Sequence, residues 1–202
     1  MRAAFDPARD GFGFRNPVGE VPRRTGFGKL LRPFDAFLYG NGLCFGMAVA
    51  ALASYEEGAG GTPVSDLRPT PGVLASLRRR HARQLRPRVV LAAVRDWLAS
   101  GGGRTYGLPG RLGLPGGADP CVLNFGPAAN RRFLRCLYRA HAVVPYRVER
   151  AGEEVRVYVY DPNHPGDRGR YVSFRGGGFS YAGFRSREGW GITPLPLSAV
   201  IR

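Results

Sequence analysis

From Cys44 to Tyr55 the chain reads CFGMAVAALASY, with no proline and no charge, between Gly40-Asn41-Gly42 and Gly58. A helix with small and apolar residues all round has no face to give to water, so it belongs in an interior. The segment is predicted as a buried helix with a glycine turn before it and a glycine stop after it. The rest of the chain has to wrap it. Residues 73–85 read as a helix with Leu77, His81 and Leu85 on one face. Pro87 opens another helix to about Ala99, with Val90, Val94, Trp97 and Leu98 as its apolar stripe. Then the period changes. CVLNFG (121–126) is a short strand, residues 141–150 and 155–161 form a hairpin around AGEE, and YVSF (171–174) is a further strand before a Gly-rich, aromatic tail. Helices first and strands after predict an α+β fold.

A length of 202 residues suits one domain. The expected organisation is an irregular lead-in (1–35), a helical subdomain (36–105), a Gly/Pro loop (106–120) and a β subdomain (121–202). Phe5, Phe12, Phe14, Phe27, Phe34 and Phe37 are expected to pin the lead-in to the domain. No run approaches 18 apolar residues, so a spanning helix is excluded. The N-terminus has no apolar h-region, which points to the cytoplasm.

The net charge is +15, and all but one of the 30 basic residues are Arg. Such a field attracts nucleic acid, anionic surfaces or acidic proteins. The densest run, LRRRHARQLRPR (77–88), has no interleaved aromatics for base stacking, and no nucleic-acid signature is present. Specific nucleic-acid binding is therefore not expected, whereas an acidic protein or anionic surface is. Residues 36–67 contain no Arg or Lys. Cys44, Cys121 and Cys136 do not make a disulfide framework, leaving one pair plus a free thiol or three free thiols. No Cys/His cluster has zinc-finger spacing, and no metal or organic cofactor is expected. Gly176-Gly177-Gly178 lacks the strand–turn–helix setting of a phosphate loop.

Three residues carry candidate chemistry. Cys44 begins the buried helix, where open N–H groups and the helix dipole favour a thiolate. The position also suits a core thiol. His141 begins the first hairpin strand and Asp161 ends the second. With Arg150 opposite Val155, facing residues sum to 305, and His141 plus Asp161 sum to 302, within a few ladder positions. A carboxylate there holds an imidazole in one tautomer, and the imidazole can take the thiol proton. Asp-Pro-Asn is also turn chemistry in its own right. Asn41 can supply an oxyanion donor or take a left-handed turn conformation between its glycines. Asn163 is a second candidate to orient His141, and Trp190 a candidate cover for the site. His81 is expected at the edge of the core, and His164 in an exposed turn.

GLCFGMAVAAL, HAVVPYRV and VYVYDPNHPGD resemble blocks of the papain-like cysteine peptidase superfamily. They are most similar to the bacterial peptidases that process bacteriocin leaders and to uncharacterised bacterial relatives with a YDPN-PG segment. The resemblance implies a nucleophile helix packed on an antiparallel sheet, with Cys44 as nucleophile, His141 as base and Asp161 as orienting acid, acting on a peptide or protein substrate. Those peptidases usually carry Gln six residues before the nucleophile, and here that residue is Leu38. The related transglutaminase-like branch tends to carry an aromatic two residues after the His and Trp before Asp-Pro. Val143 and Tyr160 stand there, which favours a cysteine peptidase or amidase. A transglutaminase- or deamidase-like acyl transferase and a catalytically silent basic binding module are the alternatives.

Overall fold

In a computed structural model, the structure describes residues 3–19, 30, 32–58, 63–99, 107–127 and 140–201. The helices are α1 (Pro7–Asp10), α2 (Arg32–Tyr39), α3 (Cys44–Glu57), α4 (Pro71–Ala82), α5 (Pro87–Ala99) and α6 (Leu197–Ile201). The strands are β1 (Cys121–Pro127), β2 (His141–Ala151), β3 (Glu154–Tyr160), β4 (Tyr171–Arg175), β5 (Gly178–Tyr181), β6 (Phe184–Arg185) and β7 (Trp190–Pro196). They form one antiparallel sheet in the order β6-β5-β4-β3-β2-β1-β7, curled into a nearly closed barrel. The mixed helix-and-sheet class agrees with the expected α+β fold.

The helix from Cys44 is buried through Ala53 and stops where Gly58 turns to φ 84°. It packs on α4, β2 and β1. The approach to α4 is set by Gly46, where an added Cβ would lie 2.3 Å from the Leu77 carbonyl oxygen. Ala142 and Val144 of β2 join the core around this helix. Val143 between them joins a second core with Leu123, Phe125, Val157 and Ile192. Successive side chains of one strand therefore serve two cores, as the pleat requires.

Four expectations need correction. The lead-in carries the helical turn α1, capped by the Asp6 side chain on the Ala8 N–H, and the eight-residue α2 starts before residue 36. Phe5 and Phe12 are buried, but Phe34 is 48% exposed; Phe27 lies outside the described residues, as does the side chain of Phe37. Leu77 and His81 are buried, whereas Leu85 is 45% exposed, because α4 gives way to a 3-10 turn at Arg83 that rotates Leu85 off the face. On α5 Val89 is buried, while Val90 and Val94 are 46% and 44% exposed; the side chains of Trp97 and Leu98 lie outside the described residues. The helical period shows which residues share a face, not which face the fold covers. The Gly-rich, aromatic tail is built into the sheet: Gly176 and Gly177, both at positive φ, turn β4 into β5, and β7 closes on β1. Cys136 lies outside the described residues.

Candidate active site

Cys44 is the first residue of α3, and Leu43 before it offers no capping side chain. A Ser, Thr or Asp there would occupy the first N–H groups. Leu43 instead leaves them to other partners. Gly46 N–H points to Nδ1 of His81 at 3.4 Å, and Met47 N–H donates to the Leu43 carbonyl. Among the described residues none accepts from the N–H groups of Cys44 and Phe45. Two donors therefore stand open beside the sulfur.

The hairpin delivers the other two residues. Arg150 faces Val155, as the sequence spacing predicts, and a bulge at Pro145/Arg147 moves the sum of facing numbers from 305 to 304, as in Val144 with Tyr160. Extended, that register sets Asp161 opposite Val143, two residues from His141 on the same side of the strand. His141 Nε2–H donates to Asp161 Oδ1 at 2.9 Å. The Cys44 side chain lies against the imidazole, and both line one cleft. With Nε2 committed to Asp161, Nδ1 is the nitrogen left for sulfur. Both His141 and Asp161 are buried, at 6% and 2% exposure.

Electrostatics follow from this packing. Burial by itself drives a histidine toward the neutral form. The hydrogen bond to Asp161 and the bond to and charge of Cys44 outweigh it, and His141 is pushed up to about 10. Asp161 is driven up by burial but more strongly down by His141, by the Tyr181 hydroxyl and by the Asn163 N–H, ending near 2. The Tyr181 hydroxyl donates to Oδ2, and Asn163 N–H to Oδ1 at 2.8 Å. Burial and the Asp161 charge hold Tyr181 well above the tyrosine range, so it stays a donor.

Sequence reasoning missed several of these contacts. Tyr181 is one. A second is the aromatic cluster beside the imidazole: Phe184 stacks on His141 with centroids 6.0 Å apart, Phe125 at 6.4 Å, and the two Phe rings stack on each other at 5.1 Å. Trp190 meets Phe184 edge-on at 4.7 Å, so it braces this cluster. Asn163 does not hold the imidazole through its side chain; that amide oxygen accepts from Asn16. Leu38 sends its carbonyl to His81 Nε2 at 3.0 Å. That bond, with Nδ1 facing the Gly46 N–H, suits a neutral ring, and burial lowers His81 to about 4. Asn41 is exposed and lines the cavities on both sides of His141. His164 is partly buried and accepts from Arg170 at 2.9 Å. Cys121 is a buried free thiol, pushed up to about 12 by burial. Among the described residues no group of His, Cys, Asp and Glu gathers that would hold a metal ion, and no helix is long and apolar enough to cross a membrane.

Asn16, from the lead-in, is the least foreseeable member. Its Oδ1 accepts from Leu43 N–H at 2.6 Å, its Nδ2 donates to Asn163 Oδ1 at 3.0 Å, and its backbone N–H donates to the Pro162 carbonyl at 2.8 Å. It thus ties the residue before the nucleophile to the residues after the acid. Gly42 is required beside it: φ is 100°, and a Cβ would lie 2.5 Å from the Asn16 amide. Asn16→Ala leaves a buried donor and an acceptor unpaired, and is expected to lower unfolding free energy by about 1–3 kcal/mol in urea titration. Alkylation of Cys44 should slow in the same variant while the fold remains cooperative.

An apolar cleft of about 380 Å³ opens beside Cys44 and His141, walled by Phe45, Leu85, Val89, Val90 and Val94. The exposed face of α5 is therefore the wall of this cleft. Comparison of the chain with protein-family models, with curated proteins and with solved structures finds no match, so the site is read from its own geometry.

Proposed function

We propose that this protein is a cysteine-dependent hydrolase of peptide or amide bonds with a papain-like arrangement, a nucleophile helix set on an antiparallel sheet. The observation that carries the reading is the meeting of Cys44, at the open N-terminus of α3, with the hydrogen-bonded pair His141–Asp161. With the proton on the imidazole, sulfur attacks the substrate carbonyl carbon. The carbonyl oxygen takes the electron pair and is held by the N–H groups of Cys44 and Phe45, with Asn41 at the cavity edge. As the oxyanion collapses, the C–N bond breaks and His141 gives its proton to the leaving amine. A water then loses a proton to His141 and attacks the thioester, and acid and free thiolate are released. Asp161 keeps the ring oriented and balances its charge, and the stacked Phe184 and Phe125 pack beside it. The apolar cleft supports a substrate with an apolar side chain next to the scissile bond.

The test is mass spectrometry of peptide mixtures incubated with the protein. Cleavage products and an acyl group on Cys44 are expected. Intact peptides together with an unmodified Cys44 would overturn the reading. Incorporation of an added amine in place of water would instead assign an acyl transferase.

A further inference from the structure

A second cavity that touches His141, of about 330 Å³, is lined by Arg15, Asn163, His164, Ala182 and Phe184 along with His141 and Asp161. The two cavities share Asn41, Ala140 and His141, so they meet at the candidate triad. Their chemistry differs. The second is bounded by groups that have hydrogens to give. Arg15 is an exposed guanidinium, carried on a backbone that Asn16 anchors next door. The Asn163 side chain has its oxygen occupied by Asn16, which leaves its NH2. His164 accepts from Arg170 through Nδ1, so in the neutral ring Nε2 carries the hydrogen. The acid in the wall, Asp161, is spent: its oxygens already accept from His141, Asn163 N–H and Tyr181, and it is 2% exposed.

A cavity that offers a guanidinium and further side-chain donors, and whose one carboxylate is already spent, selects an acceptor-rich, negatively charged group. We propose that this cavity receives a carboxylate of the substrate, beside the carbonyl that Cys44 attacks. The inference rests on the acyl-transfer reading and narrows its substrates. They carry an apolar side chain on one side of the scissile amide and a carboxylate on the other. The carboxylate is either an acidic side chain or a chain terminus. The charge surplus of the whole chain favours approach of such substrates.

The test is equilibrium binding to the full-length Cys44→Ala protein, which cannot turn ligands over, read from the backbone amide resonances of Asn163, His164 and Ala182. Three probes are used: acetyl-Leu-Glu-amide, acetyl-Leu-Gln-amide, and acetyl-Leu-Gln with a free C-terminal carboxylate. At low salt one or both acids should bind at least about fivefold more tightly than the neutral amide, a size typical of one exposed charge contact. The preference should vanish when Arg15→Gln is added and shrink in high salt. The tighter of the two acids identifies a side-chain or a terminal carboxylate. Equal affinities, no binding of either acid, or a preference untouched by Arg15→Gln would overturn the proposal. Failure here leaves peptide cleavage by the wild-type protein standing. Failure of cleavage with the preference intact points instead at the acyl-transfer reading.

Discussion

Peptide turnover by the His141→Ala protein is expected to fall at least about a thousandfold, because the variant loses both the base and the acid of the cycle. A second measurement separates this from general damage. His141 is raised from its ordinary value of 6.5 to about 10, so in the fold the ring keeps its proton across the neutral range. The stabilisation from its pairing is fully present below pH 6.5 and is lost as pH rises through about 10. Alkylation of Cys44 by iodoacetamide should therefore change little between pH 6 and 8 in the wild type. In the variant no imidazolium faces the sulfur, so its alkylation should be slower at pH 6 and should climb steeply as pH rises. Identical slopes in the two proteins would remove His141 from the chemistry. Asp161→Asn should give an intermediate result, since the stacked Phe184 still packs beside the ring but the compensating charge is gone.

The second large effect is on the fold. Gly→Ala inside an exposed helix ordinarily gains up to about 1 kcal/mol. Gly46→Ala should do the opposite. The new Cβ would meet the Leu77 carbonyl oxygen at 2.3 Å and the His81 backbone nitrogen at 3.0 Å. These are backbone atoms of α4, so α3 and α4 must separate. A loss of about 3 kcal/mol is expected, in the upper range for overpacking, read as a lower urea midpoint. Gly72→Ala on α4 is the control. Nothing lies within 4 Å of a Cβ there, and stability should hold or rise slightly. Equal midpoints for the two variants would show that the crossing is not as tight as described.

How much of this was legible depends on how far apart in the chain the partners lie. The helix at Cys44 was readable because composition and bracketing glycines are local. His141 and Asp161 were readable as neighbours because one hairpin carries both, and strand pairing is arithmetic once a single pair is guessed. The bulge at Pro145/Arg147 was not readable, and it shifts that arithmetic by one. Tyr181 and Phe184 escaped because their place depends on β5 and β6 following β4 in the sheet, which no local period announces. Asn16 escaped for a stronger reason: Leu43 and Asn163 lie 27 and 147 positions away, and nothing around Asn16 marks it. On α5 the stripe was seen but its direction was not. Val89 faces the core, and the stripe at Val90 and Val94 walls the cleft.

The Asn16 bridge also sets a schedule for the nascent chain. Asn16 leaves the ribosome first, the loop before Cys44 follows, and Asn163 emerges 147 residues after Asn16. At about 5–20 residues per second that interval is roughly 7–30 s. During it the thiol can sit at its helix end, but the hairpin that holds His141 beside Asp161 is still being made. The clasp between the two loops closes only when translation has passed Asn163, so the helix that carries the thiol waits for the residues that complete its surroundings.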